Sequence, residues 1–365
     1  MVGGYRFQAA LVCAGFFMMA VMSGCSSSTN TTPTPPSGFV VSNLVANRAD
    51  TAFGAGNLDQ NLTNAWGIAV SNATGNPFFI AANHGNCAVN YNAAGIPLMS
   101  AIRLPQKDTS KRISPTGIVT NASAYFQIPG KGTAQYLVCS EEGVIDAIAN
   151  PPVGVYVADH TSAGANYKGI AISTWNDSAA IYAADFNNAA LDVYDNNFKY
   201  KTSIVTPPSL GLPPSYAPFN IRYLSGRLFV MFARQKNDGS GDDSAGTGNG
   251  YVAIFDPAKP GSYKSTVFVP HDSLNAPWGI AIAPTSFGDF GGKLLISNFG
   301  SGHINAYDPS TGAYLGQLKD AAGKVITIPG IWDIATNVSA SPSTLFYTAG
   351  PNDESDGVFG TIVFK

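Results

Sequence analysis

Asn275-Ala-Pro-Trp278-Gly-Ile-Ala281 is the phrase on which the fold turns, because the chain repeats it. Asn64-Ala-Trp66-Gly-Ile-Ala69 and Pro329-Gly-Ile-Trp332-Asp-Ile-Ala335 are close copies, and the three together hold three of the four tryptophans. Looser copies put another residue in the Trp slot: Pro115-Thr116-Gly-Ile-Val119, Tyr167-Lys168-Gly-Ile-Ala171 and Pro218-Phe219-Asn-Ile-Arg222. The slots, at 66, 116, 168, 219, 278 and 332, lie 50 to 59 residues apart. A steady period of this size marks one supersecondary unit built again and again.

Each unit continues from its Gly-Ile-Ala strand through turn residues to a second apolar strand, such as 136–140 or 294–297. A third, alternating strand follows, as in Leu191-Asp-Val-Tyr-Asp195 and Ile304-Asn-Ala-Tyr-Asp308, and then a weaker fourth. Period-two alternation rich in Val, Ile, Tyr and Phe reads as strand. Four short strands per unit, repeated radially, predict an all-β fold, a six-bladed β-propeller. The last unit holds only three strands, and the run 39–45 is placed to supply its fourth by pairing with 358–364. Closing the ring in this way shields otherwise open sheet edges. Composition agrees: of 365 residues only 12% are charged, while Gly (39) and Pro (24) serve many tight turns. A net charge of −3 with scattered Lys and Arg gives no nucleic-acid surface.

The N-terminus reads as an export signal, with Arg6 ahead of an apolar run from Ala9 to Met22. Met22-Ser-Gly-Cys25 resembles a bacterial lipobox, with Met22 where that motif usually carries Leu. Residues 1–24 are therefore expected to be a lipoprotein signal peptide. Residues 25–38 are the lipidated Cys25 with a Ser/Thr/Pro-rich tether, and 39–365 the propeller. This predicts an exported protein held on a membrane by its lipid, at the outer membrane or in the periplasm, as a monomer. Of the remaining cysteines, Cys87 and Cys139 read as two buried thiols, with a disulfide as the alternative.

Pro277-Trp-Gly-Ile-Ala-Ile282, Leu294-Leu-Ile-Ser-Asn298 and His303-Ile-Asn-Ala-Tyr-Asp308 together resemble an NHL repeat, whose propellers have six blades. More closely, residues 43–364 resemble a family of secreted bacterial proteins that carries no established activity. The matching phrases are Asn64-Ala-Trp-Gly-Ile-Ala69, Tyr182-Ala-Ala-Asp-Phe186, Tyr216-Ala-Pro-Phe-Asn-Ile221 and Ala349-Gly-Pro-Asn-Asp-Glu354. The resemblance implies the fold and no chemistry.

In a blade the innermost strand starts on the face where the second strand ends. The slots therefore share a rim with Asn83, Glu141, Asp185 and Asn298, an oxygen set of the kind calcium prefers. The arrangement resembles six-bladed lactonases and phosphotriesterases, which implies a catalytic Ca²⁺ with His84 or His303 as base. Against this, Asp and Asn at strand ends commonly serve turns, although Glu141 is a poor turn residue. All four histidines map to this face, with Asp159-His160 and His271-Asp272 adjacent in sequence. Two acidic loops join them, one with Asp238, Asp242 and Asp243, the other with Asp353, Glu354 and Asp356; neither completes an EF-hand. Trp66, Phe219, Trp278 and Trp332 would offer a stacking platform for a small molecule, glycan or protein, or else fill space between blades. Asn220 and Asp333 replace the Gly after the slot and join the rim candidates. The leading expectation is a binding module at the cell envelope. Its rivals are a Ca²⁺-dependent hydrolase and a purely structural envelope protein.

Overall fold

The computed structural model describes residues 37–365 apart from 50–52, 72–74, 76, 109–110, 151, 257–262, 338 and 340. The expected signal peptide, Cys25 and nearly all of the expected tether lie outside the described residues. Among the described residues no helix is long and apolar enough to cross a membrane.

Five four-stranded sheets and one larger sheet make six blades. Their innermost strands are Ala65–Val70, Pro115–Thr120, Tyr167–Trp175, Tyr216–Leu224, Pro277–Ile282 and Ile331–Thr336. The strands of each blade pair antiparallel in chain order, as adjacent hairpins require. In the sixth blade Phe39–Ala46 pairs antiparallel with Val358–Phe364, so that sheet is built from both ends of the propeller. Asn57–Leu58 then adds to it in parallel.

Six apolar cores lie one between each pair of neighbouring blades, because both faces of every blade are covered by the next sheet. A seventh lies on the axis and gathers Trp66, Phe219, Trp278 and Trp332 from four blades. Cys87 and Cys139 are free, buried thiols in different inter-blade cores.

Every slot residue sits on a β-bulge. The register between innermost and second strands skips from Ala65 to Ile68, from Tyr167 to Gly169, and from Pro218 to Asn220. It skips likewise across 278–279, 332–333 and the segment holding 116–117. A bulge takes its residue out of period-two alternation and re-aims the side chain. The three Trp blades add a left-handed turn two residues earlier, at Asn64 (φ 49°), Ala276 (φ 48°) and Gly330 (φ 66°). The large indoles are thereby gathered at the axis.

Below the slots the innermost strands touch in a girdle. A Cβ on Gly67 would lie 2.8 Å from the Thr116 carbonyl oxygen, and one on Gly117 2.8 Å from the Ile170 nitrogen. Side chains bridge elsewhere. Asn220 Nδ2 donates to the Trp278 carbonyl (2.8 Å), and Asp333 accepts from the Ile68 N–H (2.8 Å). Ser297 Oγ donates to the Trp332 carbonyl (2.6 Å), and the Thr348 hydroxyl donates to the Trp66 carbonyl.

Candidate functional site

The four slot aromatics do not form an open platform. Each is 1–2% exposed, and they pack on one another as a plug. Trp66 and Trp332 stack at 3.6 Å, Phe299 covers the other face of Trp332 at 3.9 Å, and Trp278 meets both indoles edge-on at 5.9 Å. Each such pair contributes about 0.5–1.5 kcal/mol beyond its area. With both faces of Trp332 covered, none is left there for a flat ligand. Asn220 and Asp333, expected on the rim, are also buried and serve the girdle. Burial pushes the Asp333 carboxyl up, against the pull of its Arg222 partner and of the Ile68 and Ile334 N–H groups.

The oxygen set proposed for calcium does not assemble. Asp185 accepts the Asn166 N–H (3.1 Å) and the Asn188 amide (2.7 Å). Asn298 accepts the Asn275 N–H (2.9 Å) and donates to the Ile296 and His303 carbonyls. Both clamp the segment that leads into their own blade's innermost strand, which is hairpin duty. Asn83 and Glu141 do meet, but Asn83 turns its Nδ2 donor toward Glu141 Oε2 (3.2 Å). The other Glu141 oxygen pairs with the ammonium of Lys168, whose side chain is 3% exposed and lies 5.4 Å over the Trp66 ring. An ammonium thus stands beside Glu141, one of the two carboxylates of the expected metal set.

The histidines are dispersed. His84 Nδ1 lies 2.9 Å from the Glu354 carbonyl oxygen, and His303 Nδ1 lies 3.2 Å from Gln317 Nε2. His160 turns from its sequence neighbour Asp159 to the buried Asp192 (2.7 Å), which also accepts from Tyr167 (2.7 Å) and Ser203 (2.5 Å). Asp185 belongs to this cluster, with ligand-type atoms of His160, Asp185 and Asp192 all within 4.8 Å. Their oxygens already accept these protein hydrogen bonds.

What the rim does hold is a small polar pocket of about 190 Å³ above the plug. Trp66, Trp332 and Phe299 form its floor, and Glu141, Lys168, Asp243 and Glu354 are among its walls. Two residues of this lining each carry a buried polar atom without a partner among the described residues, the donor Trp66 Nε1 and the acceptor Asp243 Oδ2. Burial pushes the Asp243 carboxyl up to about 6, with Lys168 opposing. Burial also raises Glu354, although Asn64 Nδ2 donates to it at 2.6 Å. Asn352, Asp353 and Glu354 all have left-handed backbone (φ 56°, 50° and 62°), a conformation that costs non-Gly residues about 1–3 kcal/mol each. That strained turn carries Glu354 to the pocket wall. Lys168 was missed as a site residue, although it is the one charged residue in the six slots.

No protein-family model matches the chain. It is 30% identical over 334 residues to a protein of Acanthamoeba polyphaga mimivirus named "Uncharacterized protein R648", a match covering 87% of this chain and 78% of the relative. The chain belongs to the R648 family. A second mimivirus protein, L690, is 28% identical over 321 residues, covering 85% of this chain and 82% of the relative. These R648-family relatives are viral, which corrects the expected kinship with secreted bacterial proteins. Among solved structures, the α-L-arabinanase of Penicillium chrysogenum superposes with a TM-score of 0.54 at 10% identity, covering 82% of this chain and 93% of that one. The virginiamycin B lyase of Staphylococcus aureus gives 0.48 at 13% identity, covering 89% and 99%. At 10% identity the likeness to the arabinanase speaks for the fold alone.

Proposed function

We propose that the chain is a ligand-binding propeller whose site is the polar pocket over Trp66 and Trp332. One observation carries this reading: two residues that line one small pocket each hold a buried, unpaired polar atom, the donor Trp66 Nε1 and the acceptor Asp243 Oδ2. An unmet buried polar group costs about 1–3 kcal/mol, which a ligand meeting both would recover. The pocket has room for about six water volumes, enough for a single sugar ring or an amino alcohol. Glu141 is matched by Lys168 and Asp242 by Lys236 (3.3 Å), which leaves Asp243 and Glu354 as surplus carboxylates. The complementary ligand is a small hydroxylated amine, its ammonium on the carboxylates and an oxygen on the indole N–H. Because Asp185 and Asn298 are spent on separate hairpins, we draw no calcium-dependent hydrolysis from this rim.

The test is thermal melting with amino sugars, amino alcohols and neutral polyols. Hydroxylated amines should raise the melting temperature in proportion to the logarithm of concentration, and Asp243→Ala should remove the rise. A panel in which no amine shifts the native chain contradicts the proposal. Export and lipid attachment through Cys25 are part of the same reading and rest on residues 1–38. Cys25→Ser should move the expressed chain from the membrane to the soluble fraction.

A further inference from the structure

The axis carries a second cavity at its other end, independent of the polar pocket. Below the plug the innermost strands open into a funnel of about 600 Å³, roughly three times the polar pocket. That volume falls among ordinary small-molecule cavities. Successive residues from all six innermost strands line it, chiefly Ile, Ala and Val, with Ile68, Ile118, Ile170, Ile280 and Ile334 recurring around the ring.

Arg222 is the one charged residue of this lining. Its side chain is 24% exposed, and one of its donors goes to Asp333, which is fully buried and absent from the wall. A guanidinium carries five donors in a planar fork suited to a carboxylate. The funnel therefore shows a ligand an apolar wall, a single cation and no anion. One side of the mouth is built up by Asn121, Ala122 and Ser123. Asn121 Nδ2 ties this segment to the Tyr125 and Ala134 carbonyls (3.1 and 2.9 Å), and Phe126, held at φ 62°, is buried in the neighbouring core.

We propose that the funnel binds an aliphatic carboxylate of medium chain length, with the alkyl chain along the isoleucine wall and the carboxylate on Arg222. Titration calorimetry with decanoate and decan-1-ol tests it. The native chain should bind one decanoate saturably. Arg222→Met with Asp333→Asn, which removes both charges together, should weaken decanoate at least tenfold and leave decan-1-ol nearly unchanged. Thr336→Trp narrows the mouth and keeps the ion pair; it should also weaken decanoate at least tenfold, and decides the matter if the double variant does not fold. Absence of saturable decanoate binding, or undiminished affinity in a folded variant, overturns the proposal.

Discussion

Asp243 shows how one side chain ties stability to the pocket. Its carboxyl titrates at about 6 in the fold, against an ordinary value of 3.8, because it is buried. Folding therefore takes up a proton between those values. The stabilising contribution is fully present below about pH 4 and is lost as pH rises through about 6. That difference corresponds to about 3 kcal/mol at neutral pH. Asp243→Asn should raise the melting temperature by a few degrees near pH 7.5 and change it little near pH 4, as scanning calorimetry at the two pH values would show. A rise of equal size at both would mean that the carboxylate is not the strained group. The same substitution should abolish amine binding, the usual opposition between stability and a working site.

At the scale of strands, the girdle and the bulges explain both what could be read in advance and what could not. The Gly in four of the six slots' following positions lets neighbouring innermost strands touch. Gly67→Ala would drive a Cβ to within 2.8–2.9 Å of backbone atoms at Thr116 and Ile118. Backbone cannot swing aside as a side chain can, so the variant should lose about 2 kcal/mol or more, measurable by denaturant unfolding. An unchanged midpoint would mean that the blades separate more easily than the girdle implies. The repeat phrase, its period and the apolar alternation made six blades legible, since each is a local, repeated pattern. The bulge was not legible, because register belongs to a pair of strands and no single one reveals it. Hence Trp66, Trp278 and Trp332 read as rim residues, whereas the bulge and the left-handed turn before each gather them into the plug. Pairing across blades was equally hidden. Asp159 adjoins His160 in sequence, yet the ring nitrogen goes to Asp192, 32 residues away and one blade further on.

At the scale of the whole molecule, the sixth blade joins the two ends of the propeller. Phe39 packs on Phe287, Phe290 and Phe364, and Val45 is buried in the core between the sixth and first blades. A chain beginning at Asn47 loses that strand and leaves Val358–Phe364 as an open edge. It should elute as aggregate on size exclusion and lose its cooperative melt, whereas a chain beginning at Gly38 should behave as a folded propeller. Matching melts for the two would show that the closing strand adds little. The ring so closed holds two cavities of opposite character on one axis, a small acidic pocket and a wide apolar funnel, with the aromatic plug between them. Whether the pocket binds a hydroxylated amine is decided by calorimetric titration of D-glucosamine at about pH 7.5 into the native and Trp66→Phe chains. The native chain should show one saturable site, and Trp66→Phe, which keeps a ring in the stack and removes the unpaired N–H donor, should bind at least tenfold more weakly. Absence of saturable binding by the native chain, or equal affinity in the two, would contradict the proposed site.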